Sequence, residues 1–479
     1  MRYWTKTAML AAAAFVVAGG QAQVQAQTQS VTPPTTPEPV ESPAVQTFQE
    51  TLAAAAASAY RDNPSLQAAR AQARAAGEGR RQVFAGYLPE LSFSASGGLS
   101  AAENEINGVT IPREGLGPAS AALQLRQSLY TGGRRDAQSR IAEGQVDVAL
   151  ARLRGAEQSV LLGVVAAFVD VRRDQERVAI RANSVEVLAR QLQAARDRFE
   201  VGEITLTDVA QAEARLAGAQ AGLAAAQAQL QGSRANYEEV VGLTAGELAA
   251  PPATPALPAG LTEALEFALL ANPNLIGAER GVQVAEAQVD VERAALRPQI
   301  GIVGNVQRAY ETSAPDLRTD SASAAAQVTL PLFEGGLARS RTRAARQNVE
   351  RAEADLEAAR RQVISDVTSA WSTVVAAQRV IDASQVQVRA NALAFEGVEQ
   401  EQQVGLRTTL DVLDAQQELL ESQLSLVGAE RDYYVAAHQL LAAMGALQPG
   451  LLGVNEDLSD PFQHGDEARD GGFSLFGGD

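Results

Sequence analysis

The sequence predicts a mixed but mainly helical protein, a short membrane-crossing β-barrel continued by a barrel of very long helices. Three observations predict it. Two long proline-free stretches carry apolar residues at every seventh position, Val164 to Phe199 and Val367 to Phe395, which is the seam of a supercoiled helix pair. Four short segments alternate apolar and polar residues, the strand signature. Landmarks of the first half also return in the second. Val201-Gly202, Thr205 and Asp208-Val209 recur as Val404-Gly405, Thr408 and Asp411-Val412, each 203 residues on. An internal duplication explains that constancy.

Composition narrows the class further. The 479 residues carry 40 Lys and Arg against 57 Asp and Glu, a formal net charge of −17. Nucleic-acid binding rests on neutralising phosphates, so so acidic a chain is a poor candidate for it. There is no cysteine, which excludes disulfides, thiolate metal sites, thiol catalysis and a lipid anchor on a cysteine. Residues 1–26 read as a secretory signal: Arg2 and Lys6, an apolar run from Ala8 to Val17, then Val24-Gln25-Ala26 as a small-residue cleavage site. No later stretch reaches ~18 consecutive apolar residues, so any membrane insertion is expected to use strands.

In chain order, residues 27–46 form a Pro/Thr-rich linker. Residues 47–242 are the first repeat. Its helical entry breaks at Asn63-Pro64 and stops at Pro89. Strands are expected at about 89–101 and 119–130, with a loop at Asn107-Gly108 and Gly115 to Pro118. Long helices are expected at 133–201 and 205–241. Residues 243–260 are a Pro-rich linker. The second repeat, 261–445, has Asn272-Pro273 and Pro298 at an offset of 209, strands at about 298–310 and 322–333, and helices at 336–403 and 408–445. Residues 446–479, rich in Gly and Asp, are expected to be a flexible tail.

Four membrane-length strands cannot close a barrel, and an open sheet edge is not tolerated in lipid. The strands therefore call for several copies of the chain. No nucleophile elbow, phosphate loop or metal-ligand cluster is present, and His438 and His464 are far apart, so no enzyme activity and no cofactor is expected. The competing reading is a periplasmic coiled-coil adaptor or structural spacer without channel activity. The strands speak against it.

Residues 46–445 resemble the TolC family of outer-membrane efflux proteins. The resemblance rests on Asn63-Pro64 with Asn272-Pro273, Leu88-Pro89-Glu90-Leu91, the Gly132-Gly133 and Gly335-Gly336 strand exits, Phe199-Glu200-Val201-Gly202, the run Val404-Gly405 to Asp414, and Glu430-Arg431-Asp432-Tyr433-Tyr434. It implies a homotrimer with a twelve-stranded outer-membrane barrel and a periplasmic helical tunnel. It also implies docking on a periplasmic adaptor and an inner-membrane transporter of the RND or ABC type. The channel then conducts drugs, toxic solutes or unfolded proteins. At residue level it implies that Asp411 and Asp414 ring the tunnel entrance as a cation-attracting constriction. Their i, i+3 spacing puts them on one helix face, although a helix-start pair stabilised by the dipole reads the same way. Arg407 matches the family's entrance latch. The position of its acidic partner falls at Gln193, with Asp197 and Asp208 as the nearby alternatives, and the expected aromatic falls at Gln402. Val201, Gly202, Val404 and Gly405 match the adaptor-docking tips, where glycine is also what a tight turn requires.

Overall fold

The computed structural model describes residues 50–454 apart from 102, 107, 108, 113, 114 and 314. The expected signal segment and linker, the Asn107-Gly108 turn, and residues 455–479 with His464 lie outside the described residues. In chain order the elements are α1 (Leu52–Asp62), α2 (Pro64–Ala85), β1 (Glu90–Gly97), β2 (Glu103–Ile106), β3 (Val109–Pro112), β4 (Ala119–Tyr130), α3 (Arg134–Glu200) and α4 (Leu206–Val241). The second half follows with α5 (Leu261–Ala271), α6 (Pro273–Ala294), β5 (Gln299–Tyr310), β6 (Arg318–Thr329), α7 (Leu337–Gln403) and α8 (Thr409–Met444). A 3₁₀ turn, Pro449–Leu452, comes last among the described residues.

The halves match in length: α3 and α7 have 67 residues each, α4 and α8 have 36 each. At ~1.5 Å per residue the long helices span about 100 Å. Both halves also break the entry helix in the same way. Asn63 accepts a hydrogen bond from the Ser65 amide and donates to the Val240 carbonyl. Asn272 accepts from the Asn274 amide and donates to the Ala443 carbonyl. Each asparagine thus caps one helix and ties it to the end of another, while the proline behind it takes the first helical position, where no N–H is needed.

Along the middle of α3 the buried positions include Glu157, Leu161, Val164, Phe168 and Val171, alternately four and three residues apart as in knobs-into-holes packing, and Val165, Ala167 and Val169 widen the buried face. Phe168 meets Tyr237 of α4 at 6.5 Å between ring centres. The seven-residue seam does not persist to the turn. Val178 and Val185 are half-buried and Phe199 is exposed; of the seam Leu192 alone stays buried beyond Val171, and Ser184, Leu188 and Ala195 complete the buried face there. A helix of 3.6 residues per turn drifts against a strict seven-residue repeat, so the contact line migrates around it.

The strands pair as one antiparallel sheet in the order β1-β4-β5-β6. Register puts Leu91 against Leu125, Phe93 against Leu123, and Val306 against both Leu123 and Ala322. One face therefore carries Leu91, Phe93, Leu123, Leu125, Ile302 and Val306, with the Arg308–Asp320 ion pair at its end away from the helices. The other carries Ser92, Ser94, Gln124, Arg126, Asn305 and Gln327. Both β1 and β6 keep a free edge.

Several boundaries differ from the sequence pattern. β6 lies four residues earlier than expected, because Pro331 has no N–H to extend the ladder. β1 stops at Gly97, and the connection to β4 holds the small ribbon β2–β3. The segment expected as a linker after α4 is packed: Leu248 is buried, and its neighbours bond the backbone of Glu50. The expected loose tail is packed as far as Val454, with Leu447, Leu452 and Val454 all buried.

Candidate functional site

The candidate site is the pair of turns at the end of the molecule remote from the sheet. Each turn stops a long helix with a glycine in the left-handed region, φ +81° at both Gly202 and Gly405, which costs a side-chain-bearing residue about 1 kcal/mol or more. The amides then fold back. Gly202 N donates to Phe199 O at 3.0 Å and Glu203 N to Arg198 O at 2.9 Å; Gly405 N and Leu406 N repeat this on Gln402 and Glu401. A threonine starts the next helix. Thr205 N and Oγ1 donate to Asp208 Oδ2 at 2.9 and 2.8 Å, and Thr408 N and Oγ1 donate to Asp411 Oδ2 at the same two distances. Asp208 and Asp411 are therefore the acidic halves of two equivalent capping boxes. The Thr205 and Thr408 amides hold both carboxyls below the usual carboxylate range.

Side chains distinguish the two turns. Arg407 Nε lies 2.9 Å from Glu401 Oε2, across its own turn. The three partners proposed for it are engaged elsewhere or locally: Gln193 Nε2 donates to Asp197 Oδ1 at 2.8 Å, and Asp208 serves its cap. Within the chain, the acidic partner of Arg407 is thus Glu401. Asp414, exposed on the next turn of α8, is 2.7 Å from Arg215 of α4. Gln402 is buried, and its Nε2 donates to Thr409 Oγ1 at 3.4 Å across the turn. Glu401 and Arg215 did not stand out in sequence. Glu401 precedes the turn in a run of Glu and Gln, and Arg215 meets Asp414 from a helix 199 residues away.

The outermost surface of both turns is apolar. Val201, Val404, Leu206 and Leu406 are 71, 70, 66 and 76% exposed. The two leucines extend the expected valine–glycine tips. His438 takes no part. It is fully buried in α8, its Nδ1 2.8 Å from Tyr434 O, and burial pushes its pKa down.

Comparison with known proteins agrees with the architecture. The family model described as outer membrane efflux protein matches residues 55–243 and again 264–446. The outer membrane efflux protein BepC of Brucella suis is 32% identical over 427 residues, covering 89% of this chain and 92% of that protein. The alkaline protease secretion protein AprF of Pseudomonas aeruginosa is 26% identical, covering 81% and 83%. Among solved structures, the CmeC outer membrane channel of Campylobacter jejuni aligns with a TM-score of 0.71 at 16% identity, covering 88% of this chain and 89% of that one. The open-state MtrE outer membrane channel of Neisseria gonorrhoeae aligns with a TM-score of 0.69 at 21% identity, covering 83% and 90%. These chains share the fold. Family match, relatives and fold together place this chain in the TolC family of outer membrane efflux proteins, which are channels and not enzymes.

Proposed function

We propose that three copies of this chain form the outer-membrane exit channel of a tripartite efflux pump or type I secretion system. The β1 and β6 edges pair between copies into a twelve-stranded barrel, with the apolar sheet face toward lipid. The helices continue it as a tunnel through the periplasm, after removal of residues 1–26. The turns dock on a periplasmic adaptor through Val201, Gly202, Val404 and Gly405, beneath an inner-membrane transporter of the RND or ABC type. Asp411 and Asp414 line the entrance, and Arg407 latches it through Glu401.

The observation that carries this reading is the sheet. It has one apolar and one polar face, strands of 8 to 12 residues and two free edges, and it continues directly into helices of 67 residues. Strands of about that length cross a bilayer when tilted, and free edges in lipid require partners. A coiled-coil spacer without a channel has no use for such a sheet. The names of the relatives divide between efflux and protease secretion, and both cargo classes fit a passive conduit.

Single-channel recording of the detergent-extracted protein in a planar bilayer tests this. Small cation-selective steps, blocked by a trivalent cation added on the helical side, are expected. Well-folded protein that gives no steps, either as wild type or as Arg407→Ser, overturns the reading.

A further inference from the structure

We propose that the start of α7 binds phosphate-bearing anionic phospholipid headgroups at the helix-side surface of the membrane, an inference that rests on the channel reading above. Residues 335–349 contain Arg339, Arg341, Arg343 and Arg346 and no Asp or Glu. In a chain of net charge −17, that is a concentrated reversal of sign. All four arginines are exposed. Among the described residues none of them has a side-chain hydrogen bond or ion pair.

The equivalent stretch of the first half is different. At the start of α3, Arg135 donates to the Ser128 carbonyl and stacks on Tyr87 at 5.1 Å, and Arg140 pairs with Asp290 at 2.9 Å. Those guanidinium groups hold the strand–helix junction together. Within the single chain the arginines of α7 do no such work, and their charge is unpaired there.

Their position selects the ligand. β6 ends at Thr329, and the chain that follows exposes Leu332 (89%) and Phe333 (88%) before α7 begins. Apolar and aromatic residues at the end of a membrane-crossing strand form an interfacial belt. The step from Arg339 to Arg346 then spans about 10 Å along the helix, and the polar layer on one side of a bilayer is ~5–8 Å thick. Long side chains can reach back to it. Arg339, Arg343 and Arg346 follow the i, i+4, i+7 spacing of one helix face. The planar guanidinium fork matches phosphate oxygens in pairs. Basic clusters directly beside a membrane-spanning segment attract anionic lipid in this way.

The test uses the full chain. Wild type and the quadruple variant R339Q/R341Q/R343Q/R346Q are inserted into phosphatidylethanolamine vesicles containing one quarter phosphatidylglycerol, then re-extracted in detergent. Native mass spectrometry counts the phosphatidylglycerol retained per assembly. A loss of fivefold or more, with assembly size and conductance unchanged, is expected. The matching Arg→Lys quadruple variant keeps the charge and is expected to retain more than half the lipid; it also serves if the glutamine variant fails to fold. Equal retention by wild type and the glutamine variant overturns the inference. So does dissociation of the glutamine variant into single chains, which assigns the arginines to contacts between copies. Displacement of the lipid by millimolar inorganic phosphate makes the site one for free phosphate and overturns it too. Wild type that neither inserts nor conducts sinks the channel reading instead.

Discussion

Asp411 and Asp414 lie one helical turn apart, yet their surroundings differ. Asp411 is tied to the Thr408 amide and hydroxyl, whereas Asp414 faces Arg215. On the proposed reading, a multivalent cation at the entrance competes with Arg215 for Asp414. Asp411→Asn with Asp414→Asn is expected to abolish block by a trivalent cation, and Arg215→Gln to strengthen it severalfold. Dose–response curves of block in planar bilayers check both, and unchanged block in the double variant removes these residues from the entrance. The Arg407–Glu401 pair is about half exposed on both sides. Exposed pairs contribute roughly 0–1 kcal/mol, so this latch is weak on its own. Arg407→Ser is expected to raise the resting conductance. An identical closed-state conductance places the latch elsewhere.

At the level of elements, α1, α2 and α3 meet around a buried acid. Glu157 accepts a hydrogen bond from Tyr60 at 2.7 Å. Burial pushes the Glu157 carboxyl up, against the pull of Tyr60 and Arg70, and burial together with Glu157 pushes Tyr60 up to about 12. A carboxyl whose folded pKa is raised is held protonated more readily in the folded state. Its contribution is therefore present below the unfolded value of about 4.3 and is lost as pH rises through the folded value. Glu157→Gln retains an acceptor for Tyr60 and is expected to remove this loss. Thermal unfolding followed from pH 4 to 8 should show a flatter profile for the variant; a parallel profile refutes the assignment.

The same elements show what the sequence could disclose. Helix ends were legible because they depend on local chemistry: glycine where φ is positive, threonine and aspartate where a helix starts. Strand faces were legible through alternation. The bounds of β6 are not legible because its first residues, Arg318 to Ser321, are polar, so its apolar pattern begins late and runs on past the stop at Pro331. The packing of Leu248 and Val454 was hidden because burial there depends on α1, far away in sequence. For the same reason Arg215 could not be paired with Asp414 before the fold was known.

At the scale of the whole molecule, one chain supplies four strands with an apolar face, two helical hairpins of equal reach and two apolar tips. On the proposed reading three chains complete it. Protein extracted in mild detergent is expected to have the mass of three chains by light scattering. A monodisperse single chain that still conducts overturns the trimer.

The free edges of β1 and β6 also govern how the protein gets into the membrane. A lone chain that entered lipid would bring two rows of unpaired amides and carbonyls with it, each costing several kcal/mol. Nothing else in the described chain can cap them. Entry and assembly are thus one event on this reading, with no half-built inserted state to populate. The rate at which the channel appears should climb more steeply than linearly with the amount of chain available, and a cell making slightly too little would have disproportionately few pores.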